Sequence, residues 1–312
     1  AEKGAPTMSW FFSEALSEPT AWYEPTSWWG GVWPLFCETD RAVDCFTSGR
    51  FLPIAILHAV LYYGGLLTVL LLKRAGRYPR LPGADATWNK ASYVGWHVPN
   101  IVNGGVYGWI ALCLARELWL SGDDQLMWGP LTQRAAVDVG TWFMTFVCMD
   151  TVLSVLHGDL DMETAIHHAI FMVIGLVLIS ESSCIFLAMN LIGQELSTPP
   201  LNTFMILRAH RGVSSLWTQG FFALFALGFF ATRVLINSAV TALFLREVYR
   251  AQLLGHSALT FSAPVQRLLS LAVVAGAALQ LRWGWLICQK LRQMLFGKLE
   301  SPRAAPAKAK AQ

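Results

Sequence analysis

Two adjacent histidines stand at the head of an apolar run in residues 163–180, ETAIHHAIFMVIGLVLIS. Histidine is costly inside a bilayer, where it can serve as a general base, a proton carrier or a metal ligand. Neighbouring positions on a helix point about 100° apart. We therefore expect one of His167 and His168 to face a cavity and the other to contact an adjoining helix. Glu163, one turn before His167, is placed to orient its ring, and Asp150 lies in the preceding apolar segment. The pattern predicts a candidate general base with acidic partners.

The spacing around the histidine pair argues against a metal centre. Membrane di-iron enzymes and fatty-acid elongases carry H-x-x-H-H clusters, but Thr164 stands where such a cluster needs its first histidine. The other histidines are scattered, and no C-x-x-C pair occurs. We therefore expect no metal. A catalytic role and a purely structural role for His167 and His168 both stay open.

A second polar group surrounds Glu195 and Arg233. In GQELSTPPLN, Glu195 closes an apolar helix, and Pro199 with Pro200 is predicted to stop that helix. Arg233 falls in the middle of an apolar segment, FFATRVLIN, and needs a carboxylate or a lipid phosphate there. We expect its protein partner to be Glu195 or Asp150. An interfacial helix end is the competing interpretation of the Glu195 segment.

The composition defines the elements that must position these residues. The chain has 312 residues, of which 54% are hydrophobic and 14% charged, whereas soluble domains carry roughly a quarter charged residues. Apolar runs near the ~20 residues that a membrane helix requires recur along it. The sequence therefore predicts an all-α, polytopic membrane protein. Seven spans are expected, at residues 51–72, 92–115, 135–156, 164–180, 183–199, 216–245 and 265–291. The fourth and fifth are short and broken at SESS, as is typical of segments buried among other helices. His58 and Asp138 lie near span ends, where we expect them to reach water.

Charge and composition divide the chain into three parts. Seven spans place the termini on opposite sides, and Lys and Arg outnumber Asp and Glu on the side of the C-terminus. The positive-inside rule then places the C-terminus in the cytosol or in an organelle matrix. Residues 1–50 are acidic and rich in tryptophan, residues 51–295 form the membrane domain, and residues 296–312 are a basic tail. We expect protein partners to contact the first and last parts, and either the endoplasmic reticulum or the mitochondrial inner membrane to hold the protein.

Two cysteines lie in the segment CETDRAVDC on the predicted non-cytosolic side. A disulfide between Cys37 and Cys45 is permitted there, and free thiols are the alternative. The chain begins at Ala1, so we expect either a trimmed initiator methionine or a removed targeting sequence.

Taken in order, four of these features resemble the TLC domain family, which includes ceramide synthases, translocon-associated proteins and smaller lipid-homeostasis proteins. The features are the mid-span Asp150, the histidine pair, the break from Glu195 to Asn202, and the Phe-Phe-x-x-Arg motif that ends at Arg233. The resemblance covers roughly residues 51–295 and is closer to the smaller members. It implies a barrel of six helices around a lipid cavity, with one further helix outside. The acids that follow the histidine pair in ceramide synthases are absent.

Two functions are compatible with these observations. One is binding or processing of a sphingolipid or phospholipid. If the protein is an enzyme, this role would be acyl transfer with acyl-CoA as co-substrate and no other cofactor. In that role His167 or His168 would be the base, and Glu163, Glu195, Asn202 and Arg233 would line the lipid site. The other is an accessory subunit of a larger membrane complex, such as a respiratory assembly, with lipid bound in the cavity. No internal repeat favours transport, and no motif favours nucleic acid as a partner.

Overall fold

The computed structural model describes residues 51–78, 91–122, 134–181, 183–255 and 261–296, and across these residues the fold is built from helices. The helices are α1 (Leu52–Arg74), α2 (Ala91–Ser121), α3 (Arg134–His157), α4 (Met162–Glu181), α5 (Ile185–Gly193), α6 (Thr198–Arg211), α7 (Leu216–Leu254) and α8 (Ala263–Phe296). The 3₁₀ turn Gln194–Ser197 joins α5 to α6. Residues 1–50 with Cys37 and Cys45, and the tail after residue 296, lie outside the described residues, so the predictions made for them stay predictions.

The length and apolarity of the helices make this an integral, multi-pass membrane protein. Among the described residues, five helices are long and apolar enough to cross a bilayer, namely α1, α2, α3, α7 and α8. The apolar part of α4, Met162–Leu178, is shorter. The fifth predicted span is the rod of α5, the 3₁₀ turn and α6. The all-α polytopic class is therefore confirmed.

The two prolines of the fifth span begin a helix, so the prediction that they stop one is wrong. Pro199 and Pro200 fall in the first turn of α6, which continues to Arg211. The first turn is the one part of a helix where a missing backbone N–H costs nothing, and the fixed φ of proline suits it. The polypeptide therefore runs on across the bundle, and Glu195 lies at an internal joint of the rod instead of at its end.

Five helices and the continuous segment of α5, the 3₁₀ turn and α6 form a closed ring, and we call these six units rods. Going around it, α2 packs on α3, α3 on α4, α4 on α8, α8 on α7, α7 on α6, and α6 back on α2. Helix α5 continues the α6 rod and packs on α2 and α3, while α1 lies outside the ring against α2 and α3. The predicted arrangement of six helices around a centre, with one outside, is confirmed.

Glycines on α2 allow the joint of the fifth rod to approach closely. A Cβ at Gly108 would lie 2.7 Å from the backbone nitrogen of Leu196, and one at Gly104 would lie 3.1 Å from the carbonyl oxygen of Glu195. Such Gly-x-x-x-Gly spacing is typical of close helix contacts in membranes. The segment GGVYG (residues 104–108) therefore indicates where the backbone of Glu195 packs against α2.

Two ionisable residues are buried where the sequence predicted contact with water. His58 is 1% exposed and Asp138 is 4% exposed. Both predictions are wrong because distance from a span end says nothing about the neighbouring helices. His58, for example, packs on Phe146 of α3, with ring centroids 5.3 Å apart.

Candidate functional site

A cavity of about 330 Å³ lies inside the ring. All six rods contribute to its wall. It occupies the half of the bundle in which α3, α6 and α8 end and α2, α4 and α7 begin. Its polar lining comprises His97, Asn100, Asp150, Thr164, His167, His168, Glu195, Thr198, Asn202 and Arg233. Its apolar lining includes Leu201, Met205, Phe225, Phe229, Leu286 and Ile287. The cavity is therefore amphipathic, with a polar inner part and an apolar wall.

An ion pair between Arg233 and Glu195 forms one side of the polar part. Nη2 of Arg233 lies 2.9 Å from Oε1 of Glu195, and both side chains are almost fully buried. The guanidinium also donates through Nε to the hydroxyl of Ser197, at 2.8 Å, and through Nη2 to that of Thr198, at 3.0 Å. Thr198 in turn donates to Glu195. Of the two partners that the sequence allowed for Arg233, the ion pair is made with Glu195.

The backbone around Arg233 explains how this side chain turns inward. Residues Phe230–Ile236 form a π-helical turn within α7. Such turns insert a residue into an α-helix, re-aim the side chains and are frequent at functional sites. The ring of Phe229 lies 5.8 Å from the guanidinium carbon.

His168 and Asp150 form the opposite side. Nε2 of His168 lies 3.5 Å from Oδ2 of Asp150, and its Nδ1 lies 2.9 Å from the hydroxyl oxygen of Thr151. The single hydroxyl proton of Thr151 goes to the carbonyl oxygen of Val147, at 2.7 Å. The Thr151 oxygen must therefore accept a hydrogen bond from an Nδ1–H of His168, which leaves Nε2 as the unprotonated, basic nitrogen. Among the described residues Oδ2 of Asp150 has no hydrogen-bond partner, so Nε2 of His168 faces the carboxylate with its lone pair free.

The side-chain amides of Asn100 and Asn202 connect the helices around the polar part of the cavity by hydrogen bonds. Asn100 donates to Oδ1 of Asp150, at 3.2 Å, and to the carbonyl oxygen of Trp96, at 2.8 Å. Asn202 bonds Nδ1 of His97 and donates to the carbonyl oxygen of Thr198, at 2.8 Å. These bonds fix α2 against α3 and α6, and with them the direction of the two acids.

His167 lies between aromatic rings and beside Glu195. Its ring centroid is 4.6 Å from that of Phe171 and 5.1 Å from that of Trp283. Its Nε2 lies 4.0 Å from Oε1 of Glu195, beyond hydrogen-bond distance. Both histidines line the cavity, so the prediction that only one would do so is wrong. The 100° between them directs each one to a different acid, His167 toward Glu195 and His168 toward Asp150.

Glu163 does not orient His167 and does not line the cavity, which corrects both expectations. Its carboxylate accepts from Nη2 of Arg282, at 2.6 Å, and from Nε1 of Trp283, at 3.1 Å. An arginine and an indole on α8 offer stronger contacts than a ring one turn along the same helix. Glu163 thus ties α4 to α8, and the Trp283 ring that it bonds packs on His167.

The structure therefore brings together six of the seven predicted site residues, namely Asp150, His167, His168, Glu195, Asn202 and Arg233. Sequence reasoning missed Asn100 and Thr151. A signal existed for Thr151, which follows Asp150 directly in CMDTVL, but none distinguished Asn100 from other polar residues of α2.

A ring of six membrane rods around an amphipathic cavity with buried acids defines a polytopic membrane protein with an internal ligand site. The TLC domain matches residues 94–289, more than half of the 312 residues. The chain belongs to the TLC domain family, a lipid-related family of membrane proteins. No curated protein matches the chain. Helix α1 precedes the matched residues.

Proposed function

We propose that this protein binds a membrane lipid in the cavity and carries out proton-dependent chemistry on its head group. The observation that carries the proposal is the amphipathic wall. The apolar side chains of Phe225 and Ile287 line the part of the cavity that would hold an alkyl chain. Asp150, His168 and Glu195 line its polar part, where a head group would lie. Pockets of a few hundred Å³ with a few convergent polar groups are typical ligand sites.

One residue of the cavity wall is also exposed on the outside of the bundle, which supports entry of a lipid from the bilayer. Leu286 lines the cavity and is also 45% exposed on the outer surface of the bundle. A side chain that touches both the cavity and the lipid phase marks the shortest route for an alkyl chain to enter. Trp283, one turn earlier on α8, lines the same part of the wall.

Glu195 and Asp150 have different roles in the proposed function. Glu195 lies in an ion pair with Arg233, and its carboxylate oxygens can accept hydrogen bonds from a head group. Nη1 of Arg233 makes no hydrogen bond within the part of the chain that the structure describes, so it can donate to an oxygen of the head group. His168, by contrast, presents Nε2 to the cavity, with Oδ2 of Asp150 3.5 Å away.

Acyl transfer is the reaction that this arrangement fits. Nε2 of His168 would remove the proton from a hydroxyl or amine of the bound lipid, which then forms an ester or amide bond with the acyl carbon of a thioester. The carbon–sulfur bond breaks, and the departing thiolate takes the proton back from His168. The thioester, an acyl-CoA, is the proposed co-substrate. We place the cavity end of the bundle on the cytosolic or matrix side, since the ends of α1 and α6 beside it are basic.

Lipid binding is tested with a variant that fills the cavity. Leu201→Trp places an indole inside it, while Leu224→Trp, on a 54% exposed position of α7, serves as the matched control. Native mass spectrometry of the purified proteins should find one lipid retained by the wild type and by Leu224→Trp, and lost from Leu201→Trp. Equal retention by both variants would mean that the lipid lies elsewhere.

Catalysis is tested separately from binding. His168→Gln and Asp150→Asn should keep the bound lipid but change the cellular lipid profile in the same way as deletion of the protein. The control is His210→Gln, in the last turn of α6 and outside the cavity lining. Retained lipid together with an unchanged profile in both cavity variants contradicts the catalytic part of the proposal and leaves a lipid-binding protein.

A further inference from the structure

A second set of polar groups lies behind the cavity, where α1 packs against α3. His58 and Tyr62 on α1 are 1% and 0% exposed, and Ser154 on α3 is 2% exposed. Within the described residues, neither ring nitrogen of His58 and neither hydroxyl of Tyr62 and Ser154 has a hydrogen-bond partner. The cavity lining does not include any of the three.

Buried polar atoms are almost always hydrogen-bonded, either by protein groups or by ordered water. Internal water molecules occur where several such atoms border a common space. His58 and Tyr62 lie one turn apart on α1. The ring of Tyr62 lies 5.1 Å from that of His157, which is one turn after Ser154 on α3, so the unpartnered atoms come from neighbouring turns of two facing helices. The α1–α3 contact therefore carries polar atoms that bound water would satisfy.

Tyr62 and Ser154, together with further polar residues of α3, form a track that leads out of the cavity. Asp150, Ser154 and His157 follow each other on one face of α3, one helical turn apart. The ring centroid of His157 lies 5.1 Å from that of Tyr62. Asp159 follows α3 and donates its backbone N–H to the carbonyl oxygen of Ser154, at 2.9 Å. The polar groups thus continue from Asp150 in the cavity to the loop between α3 and α4.

We propose that this track is a hydrated proton passage between Asp150 and the aqueous phase at the end of α3. A proton held by His168 and Asp150 moves through water, the Ser154 and Tyr62 hydroxyls and the His157 ring to the carboxylate of Asp159. Each relay group gives up one proton as it accepts another, so it returns to its starting state and no electron is transferred. The purpose of the passage rests on the proposed function, since a lipid in the cavity blocks the direct route to water. Its hydration does not depend on that function.

The first experiment probes the passage with a small thiol reagent. All six cysteines are replaced by alanine, and Ser154→Cys is compared with Leu153→Cys, the adjacent and similarly buried position. Silver ions are added to the membrane-embedded protein, and the thiols that remain are labelled with a maleimide after denaturation. Because thiol reagents attack the thiolate in water, we expect the thiol of the Ser154→Cys variant to be blocked on the order of tenfold faster than that of the Leu153→Cys variant. Equal rates in the two variants overturn the proposal.

The second experiment uses the unsubstituted protein, so it holds even where the cysteine variants do not fold. In water-edited solid-state NMR, magnetisation passes from water to nearby protein groups. The signals of Tyr62 and Ser154 should grow as quickly as that of Asp150, whereas that of Leu153 should lag. Signals from Tyr62 and Ser154 that lag with Leu153 overturn the passage. Neither experiment reads lipid binding or turnover, so the passage and the proposed function fail independently.

Discussion

Asp150 and Glu195 are both buried carboxylates, but the residues around them give them different properties. Glu195 faces the guanidinium of Arg233 at 2.9 Å, which supplies a full opposite charge. Among the described residues Asp150 faces the indole of Trp96, the amide of Asn100 and the ring of His168, and none of these is a permanent cation. The proposed base is therefore His168 beside Asp150, while Glu195 is held in an ion pair. No local pattern contains this assignment, because Asn100 precedes Asp150 by 50 residues.

Removal of Arg233 should destabilise the protein strongly. Arg233→Met leaves Glu195 buried without its cation, and we expect a loss of about 3–5 kcal/mol in the free energy of unfolding. Adding Glu195→Met should restore most of this loss, since a buried ion pair can be replaced by apolar groups at little cost. Reversible unfolding in mild detergent measures both effects.

The control for this prediction is Arg282→Met, which breaks the exposed pair with Glu163 and should cost no more than about 1 kcal/mol. A loss of that size for Arg233→Met, or a double variant less stable than the single one, would contradict the assigned role of the pair.

Replacement of Thr151 should change the tautomer of His168. Thr151→Val keeps the shape of the side chain but removes the acceptor for Nδ1, so the proton redistributes between Nδ1 and Nε2. Nitrogen-15 NMR of labelled histidine should show protonated Nδ1 in the wild type and a mixture in the variant. Thr145→Val, which removes a hydroxyl bonded to the backbone carbonyl of Thr141, is the control and should leave the His168 signals unchanged. A wild-type ring with its proton on Nε2 disproves the assignment.

At the scale of helices, the rod of α5, the 3₁₀ turn and α6 carries most of the site. Its joint places Glu195 in the ring, and the apolar pattern of residues 183–199 predicts where the rod begins but not how far it continues. Proline ends a helix when it falls in the interior and begins one when it falls in the first turn. Pro199 and Pro200 fit either case by sequence alone, and the contact of α6 with α2 and α7 decides between them. The π turn Phe230–Ile236 likewise could not be predicted from the apolar pattern of α7.

Gly108 should be intolerant of a methyl group. In Gly108→Ala the new Cβ meets the backbone nitrogen of Leu196 at 2.7 Å, so α2 and the joint must separate. We expect a loss of about 1–3 kcal/mol in stability and a weakened hold on bound lipid as Glu195 moves. Unfolding in detergent and native mass spectrometry measure the two effects.

The matched control is Gly105→Ala on the same helix, where the nearest atom lies at an ordinary 3.5 Å. Since alanine favours a helix over glycine by about 1 kcal/mol, this variant should be neutral or more stable. If Gly108→Ala matched it, the close approach of α2 to the joint would not be what positions Glu195.

At the scale of the whole molecule, composition and hydropathy predict the all-α membrane class, and the family resemblance predicts the ring with one helix outside. Both are confirmed because long apolar segments have few ways to satisfy their backbone groups in lipid. The partners of Glu163 and the burial of His58 could not be predicted. They depend on which helices meet across the ring, and Glu163 contacts Arg282, 119 residues away.

The order of helices also makes a prediction about sidedness. Between Ser121 and Ser214 the chain crosses the bundle three times, through α3, α4 and the α5–α6 rod, so the two residues should lie on opposite sides of the membrane. Both residues are exposed, and Ser121→Cys and Ser214→Cys in a cysteine-free background form a matched pair. In sealed vesicles of known orientation, an impermeant maleimide should label the Ser214→Cys variant from the cytosolic or matrix face and the Ser121→Cys variant only from the other. Labelling of both variants from one face would contradict three crossings. Labelling of the Ser214→Cys variant from the opposite face would keep the fold but invert the protein, and the cavity with it.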